Sequence, residues 1–272
     1  MEKKWALILG ASSGFGGASA LALAKNGYNI IGVHLDRLAT MPQVHALIKK
    51  IEKAGQKALF YNINAADQLR RNDVLDELKE IFKGEEKVNI LIHSLAFGSL
   101  RPYIAKNPND CITQAQMVMT LDVMAHSLVY WTQGLIQNDL FAEGGRIFGL
   151  TSAGSQTVIP HYGAVSAAKA AMESHIRQLA VELGNMRITA NALMAGVTDT
   201  PALRKIPLNE KMMTSAKLKN PGGRLTTPED VANAIVLLSD PRADWISGNV
   251  IGVDGGEFIA NYIGDKVSQP IK

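Results

Sequence analysis

Trp5–Lys25, WALILGASSGFGGASALALAK, joins a short apolar run to an alanine-rich run through a glycine-rich turn. Trp5–Leu9 has the composition of a buried strand, and Ala18–Lys25 that of a helix ended by Asn26-Gly27. Glycines between a strand and a helix let the backbone approach a pyrophosphate, which then meets the positive end of the helix. The stretch therefore predicts a nucleotide-binding turn, with an ordinary strand–helix turn as the alternative.

Strand-like and helix-like segments alternate along the rest of the chain. The predicted strands are Asn29–Val33, Ala58–Ile63, Val88–Ile92, Arg146–Leu150, Arg187–Leu193 and Asn249–Val253. The predicted helices are Gln43–Ala54, Gln68–Phe82, about Ile112–Asn138, His161–Gly184 and Val231–Leu238, the last opened by a Thr227-Pro228-Glu229-Asp230 cap. Apolar strands joined by helical crossovers predict an α/β fold with a doubly wound parallel sheet, as a single domain over residues 1–272.

Composition and charge exclude several function classes. The 272 residues are 47% apolar and 19% charged, with a net charge of +3 and no Lys/Arg-rich run, which argues against a nucleic-acid partner. The single cysteine, Cys111, excludes an internal disulfide and fits a reducing compartment. No apolar run approaches the ~18 residues that span a bilayer. We therefore expect a soluble cytoplasmic protein with no membrane partner and no metal site.

Tyr162 and Lys169 lie seven positions apart near the start of the predicted helix His161–Gly184. Seven residues make almost two helical turns, so both side chains should leave one face, roughly 10 Å apart along the axis. A phenol can give a proton, and a nearby cation lowers the cost of a phenolate and can hold ligand hydroxyls. The pair predicts an acid site, although a half-buried Tyr beside a solvated Lys would show the same spacing.

Four segments together resemble the short-chain dehydrogenase/reductase family. GASSGFGG from Gly10 is similar to its TGxxxGxG fingerprint, and VDGG from Val253 to its C-terminal motif. Asn64-Ala65 stands where the family contacts adenine, and Ala195–Thr200 resembles the segment that touches the nicotinamide carboxamide. The resemblance implies a Rossmann-type fold and a nicotinamide cofactor. The cofactor-binding residues that it implies are Gly10, Ser12, Ser13, Gly14, Phe15, Gly16, Asn64, Ala65, Ser94, Leu95, Ala96, Lys169, Gly196, Val197 and Thr200.

The end of the second predicted strand bears on which nicotinamide cofactor binds. NAD-using members of the family carry an acid directly after this strand, where it hydrogen-bonds the adenosine ribose. That position here is His34, and an acid follows two places later at Asp36. His34 and Arg37 have the chemistry to receive a 2′-phosphate, which favours NADPH, whereas a contact of Asp36 with the ribose would favour NADH.

The chain departs from most of that family at the tyrosine that acts as the proton donor. The usual Tyr four positions before the Lys is replaced by Val165, which leaves Tyr162 as the candidate phenol. His93-Ser94-Leu95-Ala96 replaces the usual NNAG, and Met124 replaces an Asn of the proton relay. A Tyr spaced seven from the Lys resembles the divergent enoyl-acyl-carrier-protein reductases, which reduce a carbon–carbon double bond.

Conjugate reduction gives a physical reason for the wider spacing. When hydride reaches a ketone carbon, charge appears on the oxygen one bond away. When hydride reaches C3 of an enoyl thioester, charge appears on the thioester oxygen, three bonds away. The proton donor or oxyanion stabiliser must therefore stand further from the nicotinamide, whereas the Lys that holds the nicotinamide ribose stays in place.

Within that branch the sequence resembles the type III enoyl reductases. It has a regular glycine turn, Leu100-Arg101-Pro102, and Ser152 where the commonest enoyl reductases carry a second Tyr. Ser152 lies seventeen positions before Lys169, as the catalytic Ser of the family does. It either hydrogen-bonds the substrate carbonyl or caps a strand end. The expected roles are enolate stabilisation for Tyr162 and ribose binding for Lys169. A carbonyl reductase or hydroxy-compound dehydrogenase is the alternative enzyme, and a dinucleotide-binding redox sensor the alternative outside enzymes.

Residues 198–224 are expected to form a substrate lid. The segment carries apolar residues that suit an acyl chain, and Leu203 and Ile206, with Phe97 and Tyr162, are the predicted substrate contacts. From Thr200 to Arg224 it also carries six cations against one acid, Glu210: Arg204, Lys205, Lys211, Lys217, Lys219 and Arg224. Such a rim would steer an acidic acyl carrier protein. The family resemblance, with the two long helices Ile112–Asn138 and His161–Leu183, predicts a homotetramer.

Overall fold

The computed structural model describes residues 4–261, which form one seven-stranded parallel sheet covered by helices on both faces. The strands are β1 Lys4–Leu9, β2 Tyr28–His34, β3 Ala58–Asn62, β4 Lys87–His93, β5 Phe141–Ser152, β6 Thr189–Ala195 and β7 Val250–Val253. Their order across the sheet is β3-β2-β1-β4-β5-β6-β7. Because β1 pairs with both β2 and β4, the chain reverses direction across the sheet there, and a crevice opens at the carboxyl ends of β1 and β4.

Eight α-helices lie along the described part of the chain. They are α1 Gly14–Lys25, α2 Met41–Lys53, α3 Gln68–Phe82, α4 Gln114–Leu121, α5 Ser127–Gln137, α6 Gly163–Glu182, α7 Asn209–Lys219 and α8 Pro228–Leu238. One turn of π-helix, Asp122–His126, joins α4 to α5. The capping box between Thr227 and Asp230 confirms the predicted start of α8.

The core consists of two apolar layers, one on each face of the sheet. Successive side chains of a strand point to opposite faces, and β1 follows this rule. Trp5, Leu7 and Leu9 pack with α3, α5 and α6, whereas Ala6 and Ile8 pack with α1, α2 and α8. The strand is therefore buried on both sides, as its unbroken apolar run predicts.

The predicted α/β fold, a doubly wound parallel sheet in a single domain, is confirmed, and the differences concern boundaries. Helix α1 begins at Gly14, four residues before the prediction, because the glycine turn itself enters the helix. Strand β6 begins at Thr189 rather than Arg187, whose φ of 56° is left-handed. Helix α7 lies inside the predicted lid and was not predicted as a helix. Residues 1–3 and 262–272 of the predicted domain lie outside the described part.

Within residues 4–261, no helix combines the length and the apolar character needed to cross a membrane.

Candidate active site

The glycine turn is shaped for close approach of a ligand to the backbone. Gly10 has a φ of 88°, and a Cβ there would lie 2.6 Å from the Ser94 carbonyl oxygen. A Cβ at Gly16 would lie 2.1 Å from the Gly10 carbonyl oxygen, so neither position accepts a side chain. The first turn of α1 carries no acidic side chain, and Ser13 makes no side-chain cap. The predicted pyrophosphate turn therefore fits a dinucleotide.

The end of β2 places His34 and Asp36 against each other. The His34 side chain is 2% exposed, and its Nδ1 lies 2.9 Å from Asp36 Oδ2. Burial would raise the pKa of Asp36, but interactions with Ser12, Thr40 and His34 outweigh it and hold the pKa below its ordinary value. Arg37 is exposed. His34 is thus engaged with Asp36, which does not support its predicted contact with a 2′-phosphate.

Asn62 is a residue of this region that the sequence reasoning missed. Its Oδ1 accepts from the Asp36 backbone N–H at 2.9 Å, and its Nδ2 donates to the Asp36 carbonyl at 3.0 Å. It therefore fixes the backbone that presents Asp36. The predicted adenine contact Asn64 bonds the backbone N–H of Ala66, and the Ala65 carbonyl accepts from the Trp131 indole N–H at 2.8 Å.

Ser152, Tyr162 and Lys169 meet at the carboxyl ends of the strands. Ser152 is the last residue of β5, Tyr162 directly precedes α6, and Lys169 lies two turns into that helix. All three line a cavity of about 260 Å³. The expectation that Tyr162 lies on the helix was wrong: it occupies the N-cap with φ −94° and ψ 1°, after His161 in a left-handed conformation. Its phenol is therefore aimed by the turn before α6 rather than by the helix face.

Tyr162 and Ser152 lie side by side in the wall of the cavity. Burial raises the pKa of the Tyr162 phenol, and its interaction with the Ser152 hydroxyl opposes this increase. The phenol is therefore protonated and can donate to an oxygen in the cavity, beside the Ser152 hydroxyl.

Lys169 is buried and ties two strand ends together. Its Nζ donates to the Leu150 carbonyl at 2.6 Å and to the Leu95 carbonyl at 3.4 Å. Burial lowers the pKa of Lys169 to about 8, against the opposing effect of Glu173 one turn later. Glu173 is itself buried and accepts a hydrogen bond from Thr151 Oγ1 at 2.6 Å. The sequence reasoning missed Glu173, although its spacing of four from Lys169 in a helix was a signal.

Three positions that depart from the usual family pattern are buried, and two of them lie in the wall of the cavity. Val165 and Met124 pack against Gly98 in the loop after β4 and both line the cavity. His93 is fully buried, with Nε2 2.9 Å from Ser127 Oγ. Burial, with a smaller effect of Lys169, lowers the pKa of His93 to about 3, so the imidazole is neutral. This wall leaves Tyr162 as the one tyrosine among the described residues that line the cavity.

The remaining predicted residues divide between the two ends of the crevice. The cavity is lined by all the predicted substrate contacts and by the predicted nicotinamide-end residues, namely Phe15, Ser94, Leu95, Ala96, Phe97, Gly196, Val197, Thr200, Leu203 and Ile206. The other residues of the turn, with His34, Asp36, Arg37, Asn64 and Ala65, lie outside it. Two cavity residues that the sequence reasoning missed, Glu257 and Phe258, directly follow the VDGG segment, which was the available signal.

The lid, residues 198–224, carries less unpaired positive charge than its composition predicts. Arg204 forms two hydrogen bonds with Asp199, at 2.7 and 2.9 Å, and Arg224 forms two with Asp230, at 2.6 and 3.0 Å. Both acids lie outside Thr200–Arg224, the range whose composition predicts a strongly positive rim, so two of its six cations are already paired. Among the described residues, the lid's ion pairs involve these two arginines and none of its lysines.

Comparison with known proteins agrees with this geometry. The family model described as Enoyl-(Acyl carrier protein) reductase matches residues 10–257. Versicolorin reductase stcU of Emericella nidulans is 26% identical, over 95% of this chain and 97% of that protein. The NADH-dependent enoyl-[acyl-carrier-protein] reductase FabI of Aquifex aeolicus is 27% identical, over 97% and 94%.

Among solved structures, the angucycline C-6 ketoreductase LanV with bound NADP has the same fold. It superposes with a TM-score of 0.81 at 23% identity, covering 94% of this chain and 96% of that one. Because the family model spans the glycine turn, the Ser–Tyr–Lys cluster and the VDGG segment, the chain belongs to the short-chain dehydrogenase/reductase family, in its enoyl-(acyl carrier protein) reductase-like branch, and is an oxidoreductase with a nicotinamide dinucleotide cofactor.

Proposed function

We propose that the chain is an NAD(P)H-dependent trans-2-enoyl thioester reductase of fatty-acid elongation. The observation that carries the proposal is the position of the Tyr162 phenol. It projects into the cavity from the turn before α6, while Val165, at the usual tyrosine position, is packed against Gly98. A donor set back in this way suits an oxygen three bonds from the carbon that receives hydride.

Each residue of the cluster has a defined task in this reaction. The reduced nicotinamide, when bound, would supply the hydride that C3 of the enoyl group accepts. Tyr162 donates its hydroxyl hydrogen bond to the thioester oxygen, which becomes an enolate oxygen as the hydride arrives. The Ser152 hydroxyl beside the phenol lowers the pKa of Tyr162 and so favours this donation. Lys169, as an ammonium, would hold the nicotinamide ribose, and solvent would supply the proton that C2 of the enolate takes up.

One observation favours a second candidate, a carbonyl reductase. The Ser152 hydroxyl and the Tyr162 phenol line the same cavity, and a ketone oxygen would need these same two donors. The same cluster could reduce a ketone whose carbonyl carbon lay closer to Tyr162 than C3 of a bound enoyl chain does.

A direct comparison of substrates separates the two candidates. Wild-type protein should oxidise reduced cofactor much faster with crotonyl or longer enoyl thioesters than with 3-oxoacyl thioesters, because only the former place charge three bonds from the hydride. Cofactor absorbance with both thioesters, at matched concentrations and chain lengths, measures this. Faster turnover of the 3-oxoacyl substrate would assign the chain to carbonyl reduction.

The choice of cofactor depends on Asp36. The sequence favoured NADPH through His34 and Arg37, but the buried His34 is bonded to Asp36, and Ser12 of the glycine turn helps to lower the pKa of Asp36. A carboxylate held beside this turn suits ribose hydroxyls and repels a 2′-phosphate. NADH is therefore the cofactor that this geometry supports better.

Wild-type protein should accordingly show a higher kcat/KM with NADH than with NADPH. Asp36→Asn removes the charge with little change of shape, so it should lower the KM for NADPH and raise that for NADH. Arg37→Ala tests the alternative, in which Arg37 binds the 2′-phosphate of NADPH. If wild type prefers NADPH and Arg37→Ala raises the KM for NADPH alone, the original NADPH prediction is right.

The carrier-protein partner and the homotetramer stay predictions. Lys205, Lys211, Lys217 and Lys219 supply the positive charge of the lid that would face an acidic carrier, since Arg204 and Arg224 are engaged with Asp199 and Asp230.

A further inference from the structure

A tight turn after β7 carries a carboxylate into the cavity. The Asp254 side chain accepts from the backbone N–H groups of Gly256, at 3.0 Å, and Phe258, at 2.8 Å. The Asp254 carbonyl accepts from the Glu257 N–H at 3.2 Å and from Asn220 Nδ2, at the end of α7, at 2.7 Å. The backbone on both sides of Glu257 is therefore held in place, and the direction of its side chain is built into the turn.

The Glu257 side chain meets the segment that follows β6. Its Oε2 and Oε1 lie 3.2 and 3.4 Å from the Val197 backbone nitrogen. Glu257 lines the same cavity as Tyr162 and Lys169. Burial raises the pKa of the Glu257 carboxyl, and the hydrogen bond from Val197 opposes this. Asp254 adds to the increase, and Lys219 is the cation among the described residues that counteracts it.

The two redox states of a nicotinamide ring differ in charge. The reduced ring is neutral, and when it gives up a hydride, a proton with two electrons, it becomes a cation. A carboxylate near the ring therefore stabilises the oxidised form more than the reduced form. In the protein interior, such an effect over several ångströms is far larger than in water.

We propose that Glu257 sets the relative affinity of the site for oxidised and reduced cofactor and so favours hydride donation. This rests on the proposed function and on the resemblance of Ala195–Thr200 to the segment that touches the nicotinamide carboxamide. The carboxylate contacts the Val197 N–H, so it lies beside the ring that this segment binds. The substrate reaction is unchanged: Glu257 moves no proton and forms no bond, but lowers the free energy of the cationic ring.

The test is a binding measurement without thioester. Dissociation constants for the oxidised and the reduced cofactor are measured by fluorescence and calorimetry, at mildly alkaline pH, for wild type and Glu257→Gln. The neutral amide should raise the ratio Kd(oxidised)/Kd(reduced) by roughly 5- to 30-fold, from a Coulomb interaction at an effective dielectric of about 20–40. ADP-ribose, which lacks the nicotinamide, should bind both proteins equally.

Two variants serve as controls. Glu257→Asp keeps the charge and should keep a ratio near that of wild type, whereas Glu80→Gln removes an exposed charge on α3, and the ratio should not change. An unchanged ratio in Glu257→Gln, or an equal change for both cofactor forms, would overturn the proposal. If Glu257→Gln bound both cofactor forms more tightly by the same factor, Glu257 would only compete with the cofactor for the Val197 N–H. Because no thioester is present, the outcome is independent of whether the chain reduces enoyl or 3-oxoacyl substrates.

Discussion

Tyr162→Phe is expected to lower kcat for enoyl thioesters by about 10²–10³, with KM for the thioester little changed. The substitution deletes one hydroxyl and keeps the ring that packs in the cavity wall. The lost hydrogen bond is made to an oxygen that becomes anionic only as hydride arrives. Its loss therefore raises the free energy of the transition state more than that of the bound substrate. Steady-state kinetics, with cofactor binding followed by fluorescence, measures both parts: turnover should fall while cofactor affinity stays at the wild-type value.

Tyr103→Phe is the matched control. Tyr103 is half exposed, packs over Gly163 beside Tyr162, and does not line the cavity, so loss of its hydroxyl should leave kcat unchanged. Near-full turnover in Tyr162→Phe would make that tyrosine structural. Ser152 would then be the next candidate donor, and Ser152→Ala would decide it.

Lys169→Met is expected to lose cofactor binding as well as turnover. The ammonium holds the ribose in the ground state as well as during hydride transfer. Loss of a hydrogen bond from a charged group should weaken cofactor affinity by roughly 10- to 100-fold. Methionine fills similar volume, and thermal unfolding checks that the fold survives loss of the bonds to Leu150 and Leu95. A variant that binds cofactor like wild type would remove Lys169 from the ribose site.

The pH dependence supplies a second readout of Lys169. Its pKa of about 8 lies below the ordinary value, so the functional ammonium is present below this pH and is lost as pH rises through it. Cofactor affinity of the free protein should therefore fall above about pH 8. Glu173→Gln keeps an acceptor for Thr151 but removes the charge that raises the pKa of Lys169, so this decline should begin at lower pH. An unshifted profile would show that Glu173 does not tune Lys169.

Much of the architecture could be predicted because its causes are local. The unbroken apolar run of β1 requires burial on both faces, and the glycines of Gly10–Gly16 allow only a close backbone turn. The spacing of Tyr162, Lys169 and Ser152 was sufficient to bring them to one cavity, since parallel strands end at a common edge. Helix boundaries were less exact, because the left-handed conformation of His161 ends the turn before α6 and the sequence carries no clear signal for it.

The sequence by itself determined the order of strands and helices, the nucleotide turn and the Tyr–Lys spacing, because strand periodicity and backbone sterics act over a few residues. The tertiary structure alone decided which charges meet. His34 bonds Asp36 only because burial of the β2 end directs its imidazole there, and Arg204 and Arg224 find Asp199 and Asp230 only in the folded lid. Glu257 reaches Val197, 60 residues away, because β7 pairs with β6. Such contacts depend on strand pairing and on the direction of each side chain, which no local pattern in the chain encodes.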